Sequence, residues 1–259
     1  MDIISVSFVI GSIAAFLIGL SKTGVPGVGI ASVVLMTYAF PGIEKQSTGA
    51  VLPLLILADV FAICYYRKDV EWKRLRTLFP PVLLGLVCGA FVLNRIDNAG
   101  FRMLLGGIII ALLCFEQLRN KMQWNGIPDS KLFAWFMGGT AGFTTQLGNA
   151  AGPVMSVYMA SQDMSKERLM GTWAWFFFTV NLSKLPFMTG VVFPDLRMIT
   201  LESLRFDLLL VPAVVAGSVF GKRLFTLIPE KYFVKLVLLL NVIPPIEMLL
   251  HPLIAKFFS

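Results

Sequence analysis

Ten apolar segments, separated by short polar stretches, run along the chain. They cover residues 4–20, 28–40, 47–66, 77–93, 101–118, 132–147, 152–160, 168–190, 206–221 and 232–250. A helix needs about 20 apolar residues to cross a bilayer. Most of the segments approach that length, whereas 28–40 and 152–160 are too short to cross easily. The pattern predicts an all-α polytopic membrane protein with two interrupted helices.

Each short segment follows a stretch rich in Gly, Pro and Thr. The first stretch is GLSKTGVPGVG at residues 19–29, and the second is GFTTQLGNAAGP at residues 142–153. At membrane depth, such helix-breaking sequence is tolerated only where it is buried in protein or lines a watery cavity. Breaks at corresponding places in the two halves of a chain point to the binding site of a transporter.

The correspondence between the halves continues beyond the breaks. The spacing of Pro80, Gly85 and Gly89 is repeated later in the chain by Pro212, Gly217 and Gly221, and Asp59 falls opposite Asn181. We interpret the chain as a duplication of one unit. The N-terminal transmembrane repeat covers residues 1–125 and the C-terminal repeat covers residues 126–259, with a polar connector at 121–131.

Composition and charge agree with a bilayer protein. Apolar residues make up 57% of the chain and charged residues 14%, against about 45 to 50% and about 25% in soluble domains. The net charge is +7, but the basic residues cluster in short loops beside apolar runs, as the positive-inside rule expects. Membrane orientation explains this charge better than a nucleic-acid partner does. We interpret Cys64, Cys88 and Cys114 as packing residues, because their spacing does not resemble a metal site.

Loop charge distinguishes two topologies. Each interrupted pair could cross the membrane once, or it could return as a re-entrant hairpin. With hairpins, the loops on one side hold roughly twice as many Lys and Arg residues as those on the other, which the positive-inside rule favours. A hairpin followed by three crossings changes sides an odd number of times. The sequence therefore predicts two inverted repeats with both termini outside, and a site near the bilayer midplane between them.

The first break offers a cationic candidate site. Lys22, Thr23 and Gly24 lie where the chain leaves one helix and begins the next. An ammonium group beside a helix N-terminus attracts anions, since the charge and the helix dipole act together. The alternative is that Lys22 only pairs with Asp59 and holds the halves in register.

The second break is polar but uncharged. Gln146 and Asn149 could donate hydrogen bonds to an oxyanion, together with Thr144 and Thr145. Small and hydroxyl residues are also common in ordinary membrane helix packing. We expect Thr144 to be such a packing residue and Asn149 to be a binding residue.

Three further polar residues lie inside apolar segments. Asp59 is near the middle of its helix, which suits either proton coupling or a static salt bridge with Lys22. Asn181 is its counterpart in the second half, and Lys184 lies one turn further along the same face. Both are candidate substrate-binding residues. Lys184 could contact substrate or could snorkel to the outer interface.

Longer motifs carry a family resemblance. The motifs are SKTGVPGVG in the first half, and GNAAGPVMSVYM followed by GTWAWFFFTVNLSKLPF in the second half. The segment YYRKDVEWKRL after Asp59 also fits. With these motifs the chain resembles the sulfite exporter TauE/SafE family of membrane transporters over essentially its whole length. The resemblance implies transport of sulfite or of small organosulfonates across the cell's inner membrane.

The residues themselves indicate a secondary transporter for a small oxyanion. The chain lacks the nucleotide-binding motif GxxxxGK(S/T) and the zinc motif HExxH. We therefore expect no enzyme activity, no metal site and no cofactor. The expected partners are a small anionic substrate, protons and the lipid bilayer, and a homodimer is a further candidate. An anion channel, or an importer of another oxyanion or a carboxylate, is the alternative function.

Overall fold

The computed structural model describes residues 3–40, 43–121, 130–160, 164–229, 231–233 and 236. Within these ranges the chain forms ten α-helices and two 3-10 turns, without a strand. The helices are α1 Ile3–Thr23, α2 Gly29–Ala39, α3 Glu44–Ala50, α4 Leu52–Tyr66, α5 Trp72–Arg95, α6 Asn98–Lys121, α7 Lys131–Gly148, α8 Ala151–Ala160, α9 Lys166–Met188 and α10 Leu201–Leu227. The 3-10 turns are Pro26–Val28 and Pro194–Leu196.

Nine of the ten predicted apolar segments coincide with this helical structure. Most of the last segment, 232–250, and most of the connector 121–131 lie outside the described residues. Among the described residues, four helical segments are long and apolar enough to cross a membrane: Val6–Thr23, Lys45–Tyr66, Trp72–Arg95 and Pro194–Leu227. The prediction of an all-α membrane protein is confirmed.

Two helices begin five residues before the predicted apolar segments. α5 begins at Trp72 instead of residue 77, and its polar first turn buries Leu75 completely. α10 begins at Leu201 instead of residue 206, because Thr200 and Ser203 form a capping box at its start. Hydropathy marks the apolar middle of a helix, whereas capping and side-chain packing decide where the helix ends.

Both interrupted pairs fold back as hairpins. Gly11, in the middle of α1, lies against Phe206, and the ring of Phe40, just after α2, packs on the same Phe206 ring with centroids 5.6 Å apart. In the second hairpin, Phe133 at the start of α7 stacks on Tyr158 near the end of α8, at 6.0 Å. In each pair the second helix therefore returns along the first.

The first helix of each hairpin packs along a helix from the other half of the chain. α1 lies along α10, and α7 lies along α5. Both contacts depend on glycines that allow close approach of two backbones. A Cβ atom at Gly217 would lie 2.0 Å from the carbonyl oxygen of Phe16, and one at Gly85 would lie 2.1 Å from that of Gly139. Small residues at helix contacts are the usual means of close packing in membranes.

Helices α4 and α9 pack against each other in opposite directions. Near the end of α4, the carbonyl oxygen of Tyr66 would lie 2.7 Å from a Cβ atom at Gly171. Further back along α4, Asp59 accepts a 2.7 Å hydrogen bond from Asn181, which lies further along α9. The pair is therefore antiparallel, and it carries polar side chains in the middle of the bundle.

The three cysteines do not pack in the protein interior. Cys64, Cys88 and Cys114 are all exposed free thiols on the outer surface of the helices. The interpretation of these residues as packing residues is wrong. An apolar sequence context does not distinguish a helix face turned toward lipid from one turned toward the core, because both are apolar in a membrane protein.

Candidate functional site

A cavity of about 60 Å³ lies where the two helix breaks meet. Its lining includes Lys22, Pro26 and Gly29 from the first break, Thr145, Asn149 and Pro153 from the second break, and Trp173, Phe177 and Asn181 from α9. A single water needs about 10 to 15 Å³ of such space. The cavity therefore has room for a few waters or for one small polyatomic anion.

Two helices begin at this cavity. α1 ends at Thr23, and after the turn Pro26–Val28 the chain continues as α2 from Gly29. On the opposite side α8 begins at Ala151, and Gly29 and Gly152 both line the cavity. The first N–H groups of a helix have no intrahelical partner and carry partial positive charge. The two helix starts therefore favour a negatively charged ligand.

Lys22 and Asp59 form an ion pair. The Lys22 Nζ and Asp59 Oδ1 atoms are 2.8 Å apart, with the lysine side chain 12% exposed and the aspartate side chain 0% exposed. The second carboxylate oxygen, Oδ2, accepts the 2.7 Å hydrogen bond from the Asn181 amide. Both oxygens of Asp59 are therefore engaged, and the pair joins the first hairpin to α4 and α9.

The ammonium group of Lys22 also lies over an aromatic ring. Its Nζ atom is 3.9 Å from the ring centroid of Phe177, one of the α9 residues that line the cavity. A desolvated cation–π contact of this kind stabilises the charge. The partly exposed ammonium group is thus held at the cavity wall by Asp59 and Phe177.

Asn149 is the turning point of the second break. It has φ 56° and ψ 25°, the left-handed conformation, and it forms the C-cap of α7. Asparagine adopts this conformation more readily than other non-glycine residues do. Its side-chain amide donates to the carbonyl oxygen of Thr48 at 3.0 Å, and its Oδ1 atom accepts a hydrogen bond from Lys184. The Asn149 amide therefore holds the second break in place through contacts with α3 and α9.

Lys184 is buried in protein. Its side chain is 0% exposed, and its ammonium group reaches Asn149 at the second break. The snorkelling alternative is therefore excluded. Lys184 is not part of the cavity lining, so it approaches the cavity from behind the Asn149 amide.

Three predicted site residues face elsewhere. The hydroxyl group of Thr23 donates to the carbonyl oxygen of Ser218 at 2.7 Å. A Cβ atom at Gly24 would lie 2.5 Å from the carbonyl oxygen of Gly221. Both residues thus serve the contact between α1 and α10. Gln146 is fully buried and lies against Gly89 of α5. None of the three lines the cavity.

Other residues of the site were not predicted as binding residues. Thr48 accepts from Asn149 and donates through its own hydroxyl to the carbonyl oxygen of Leu147 at 3.0 Å. Ser21 and Ser32 line the cavity. Ser21 adjoins Lys22, which is a usable signal, whereas no sequence motif singles out Thr48. Thr144 donates to Thr140 and Ala141 within its own helix, so it is the packing residue that we expected.

Comparison with known proteins gives one family. The model of the family described as sulfite exporter TauE/SafE matches residues 10–244. No curated protein and no solved structure matches the chain at a significant level. The family match covers nearly the whole sequence, including both helix breaks and every residue named above around the cavity. The chain therefore belongs to the TauE/SafE family of sulfite exporters.

Proposed function

We propose that the protein is a secondary transporter that exports a small sulfur-containing oxyanion, such as sulfite or an organosulfonate, by alternating access. The observation that carries this proposal is the cavity at the meeting point of the two helix breaks, with the Lys22 ammonium group in its wall. In membrane proteins, irregular backbone that lines a cavity is a common form of substrate site.

The chemistry of the cavity suits an anion. Lys22 supplies a positive charge, α2 and α8 supply helix N-termini, and the amide groups of Asn149 and Asn181 each have a second N–H besides the one that bonds to Thr48 or Asp59. Asp59 is already engaged by Lys22 and Asn181, so it offers little to a cation. In the described part of the chain, no cluster of His, Cys, Asp or Glu could hold a metal ion. The site therefore favours an oxyanion over a metal cation or an organic cation.

The two halves act as inverted repeats in this proposal. Three features support the inversion. The first hairpin opens beside Phe206, near the start of α10. The second hairpin opens at Tyr158, near Lys73 at the start of α5. The two hairpins therefore open at opposite ends of the bundle. α4 and α9, which correspond in the duplication, run antiparallel. The contact of α1 with α10 is the counterpart of the contact of α7 with α5.

The arrangement supports alternating access. The hairpins approach the cavity from opposite ends, so a shift of one hairpin against the paired helices would open the cavity to one side and close it to the other. Lys22 and Asn149 lie at the turns of the two hairpins. A bound anion would contact both turns and so affect the position of both hairpins.

The orientation and the partners complete the proposal. Basic residues cluster at one end of the bundle, in the turn after α4, in the first turns of α5 and α9, and near the end of α10. They are Arg67, Lys68, Lys73, Arg74, Lys166, Arg168, Lys222 and Arg223. By the positive-inside rule this end lies on the cytoplasmic side of the cell's inner membrane, and both termini lie on the outer side. Protons are the proposed coupling ion, with Asp59 as the candidate carrier, and a homodimer is the proposed assembly.

Binding and transport by purified protein test the function. Sulfite and small organosulfonates should raise the unfolding temperature in proportion to saturation, and reconstituted vesicles should show saturable flux. Lys22→Gln should weaken binding roughly tenfold to a hundredfold, as the loss of one charge-assisted hydrogen bond. The matched control is Lys73→Gln at an exposed surface position, which should bind like the unaltered protein.

The flux measurement also separates a carrier from a channel. A carrier should be accelerated by substrate on the opposite side of the membrane, because the loaded site returns faster than the empty one. Flux that rises linearly with concentration, without counter-transport, would indicate a channel. Equal affinity in Lys22→Gln and in the unaltered protein would contradict the proposed site.

A further inference from the structure

Three charged side chains form one cluster around the cavity, and their formal charges add up to a single positive charge. Lys22 and Asp59 are in direct contact at 2.8 Å. Lys184 interacts electrostatically with both of them, and within the described chain Lys22 and Lys184 are the charged neighbours of Asp59. The cluster thus holds two ammonium groups and one carboxylate.

The carboxylate belongs to one of the two lysines. Asp59 is bonded to Lys22 and to the Asn181 amide, whereas Lys184 bonds to the neutral amide oxygen of Asn149. Lys22 and Asp59 are therefore already neutral as a pair. The charge without a counter-ion is that of Lys184, whose side chain is fully buried. An uncompensated buried charge is costly, so one negative charge nearby stabilises the protonated form of Lys184.

We propose that the cavity selects an oxyanion group with a single negative charge over one with two, and that Lys184 determines this preference from behind the Asn149 amide. The inference rests on the proposed transport function and concerns the charge of the substrate. Lys184 acts at a distance, because Asn149 lines the cavity and Lys184 does not. Charge interactions across a side chain such as Asn149 remain strong where water is excluded.

A second negative charge would have no matching cation in the cluster. It could be compensated only by drawing Lys22 away from Asp59, and that would leave the fully buried carboxylate without its cation. The cost of breaking a buried ion pair opposes this rearrangement. A singly charged group leaves the pair intact and neutralises the cluster.

Two nearly isosteric probes measure the preference. Methanesulfonate and sulfate share the SO3 group and differ by a methyl group in place of an oxygen, but they carry one and two negative charges at neutral pH. Dissociation constants are determined for both with the purified full-length protein at one pH and one ionic strength. The measured quantity is the ratio of the two constants, since this ratio cancels general losses of affinity.

Three variants change the cluster charge in known steps. Asp59→Asn raises it by one, Lys184→Gln lowers it by one, and Lys22→Gln combined with Asp59→Asn leaves it unchanged. The unaltered protein should favour methanesulfonate. Asp59→Asn should shift the ratio toward sulfate by about tenfold or more, and Lys184→Gln should shift it away from sulfate by a similar factor. The double variant should keep the original ratio.

The variants provide independent tests. Lys184→Gln leaves the ion pair of Lys22 and Asp59 in place, so it remains informative if Asp59→Asn does not fold. Sulfate preference in the unaltered protein, or a ratio that stays constant in Lys184→Gln, would overturn the inference while leaving anion binding established. Failure of both probes to bind any form of the protein, at concentrations where sulfite also fails, would overturn the proposed function together with it.

Discussion

Lys22 and Asp59 are joined by a 2.8 Å ion pair that links the first helix break to the middle of α4. The pair has a third member, because Asn181 of α9 donates to the other carboxylate oxygen. One aspartate thus connects the first hairpin to the antiparallel contact of α4 and α9. A side chain in this position affects both the stability of the bundle and the position of the cationic group at the cavity.

Loss of the carboxylate charge should therefore destabilise the protein. Asp59→Asn leaves the Lys22 ammonium group without its ion-pair partner, at a cost of about 3 to 5 kcal/mol. The additional change Lys22→Gln should restore much of this stability, because the uncompensated charge is then gone. Unfolding temperature and yield of the purified variants measure both effects.

The same variants test the proton-coupling role of Asp59. Asp195→Asn is the control, since it makes the same chemical change at an exposed residue and should unfold like the unaltered protein. A folded Asp59→Asn protein that transports with the original pH profile would exclude Asp59 as the proton carrier. A folded variant whose flux no longer depends on pH would support that role.

The left-handed conformation of Asn149 predicts different effects of glycine and alanine. Asn149→Gly and Asn149→Ala both remove the amide that contacts Thr48 and Lys184. Only alanine adds strain at φ 56°, so it should be less stable than the glycine variant by about 1 to 2 kcal/mol. Thermal unfolding of the two purified proteins gives the difference, and equal stabilities would contradict the left-handed turn.

Close packing of α7 on α5 predicts a severe effect at Gly142. A Cβ atom there would lie 2.1 Å from the carbonyl oxygen of Val82. A Cβ atom at Gly139, on the same helix, would lie 3.8 Å from the carbonyl oxygen of Pro81, which is an ordinary van der Waals distance. Gly142→Ala should therefore cost about 1 to 3 kcal/mol or more, and Gly139→Ala should be close to neutral. Unfolding temperatures that fall equally in both variants would argue against this helix contact.

The proposed orientation predicts which residues react with an impermeant thiol reagent. In a protein without its three native cysteines, single cysteines at Ala99 and Asp195 should be labelled from outside intact cells, because both positions are exposed near the proposed outer ends of the helices. A cysteine at Lys73 should react only after the membrane is opened. Labelling of Lys73 and Asp195 from the same side would contradict the inverted arrangement.

The helix breaks could be predicted because their causes are local. Glycine and proline clustered within a few residues disfavour a continuous helix locally, and an unusually short apolar segment cannot easily cross a bilayer. The pairing of Lys22 with Asp59 was one of the alternatives that the sequence left open, since both are rare charges in apolar segments. These features follow from residue type and from position along one helix.

Which of two adjacent residues faces the cavity could not be predicted. Successive residues on a helix point about 100° apart, so the direction of each side chain depends on how the whole helix is rotated against its neighbours. Lys22 lines the cavity while Thr23 contacts α10, and Thr145 lines it while Gln146 contacts α5. The contact of Lys184 with Asn149 likewise depends on the packing of α9 against the second break.

The exchange of helix partners between the two halves has a consequence for synthesis of the protein. α1 is made first, but the glycine surface of α10 on which it packs emerges only after nearly the whole chain has been translated. In each half, the first hairpin helix finds its main helix partner in the other half. We therefore expect α1 to complete its packing only after α10 has entered the membrane.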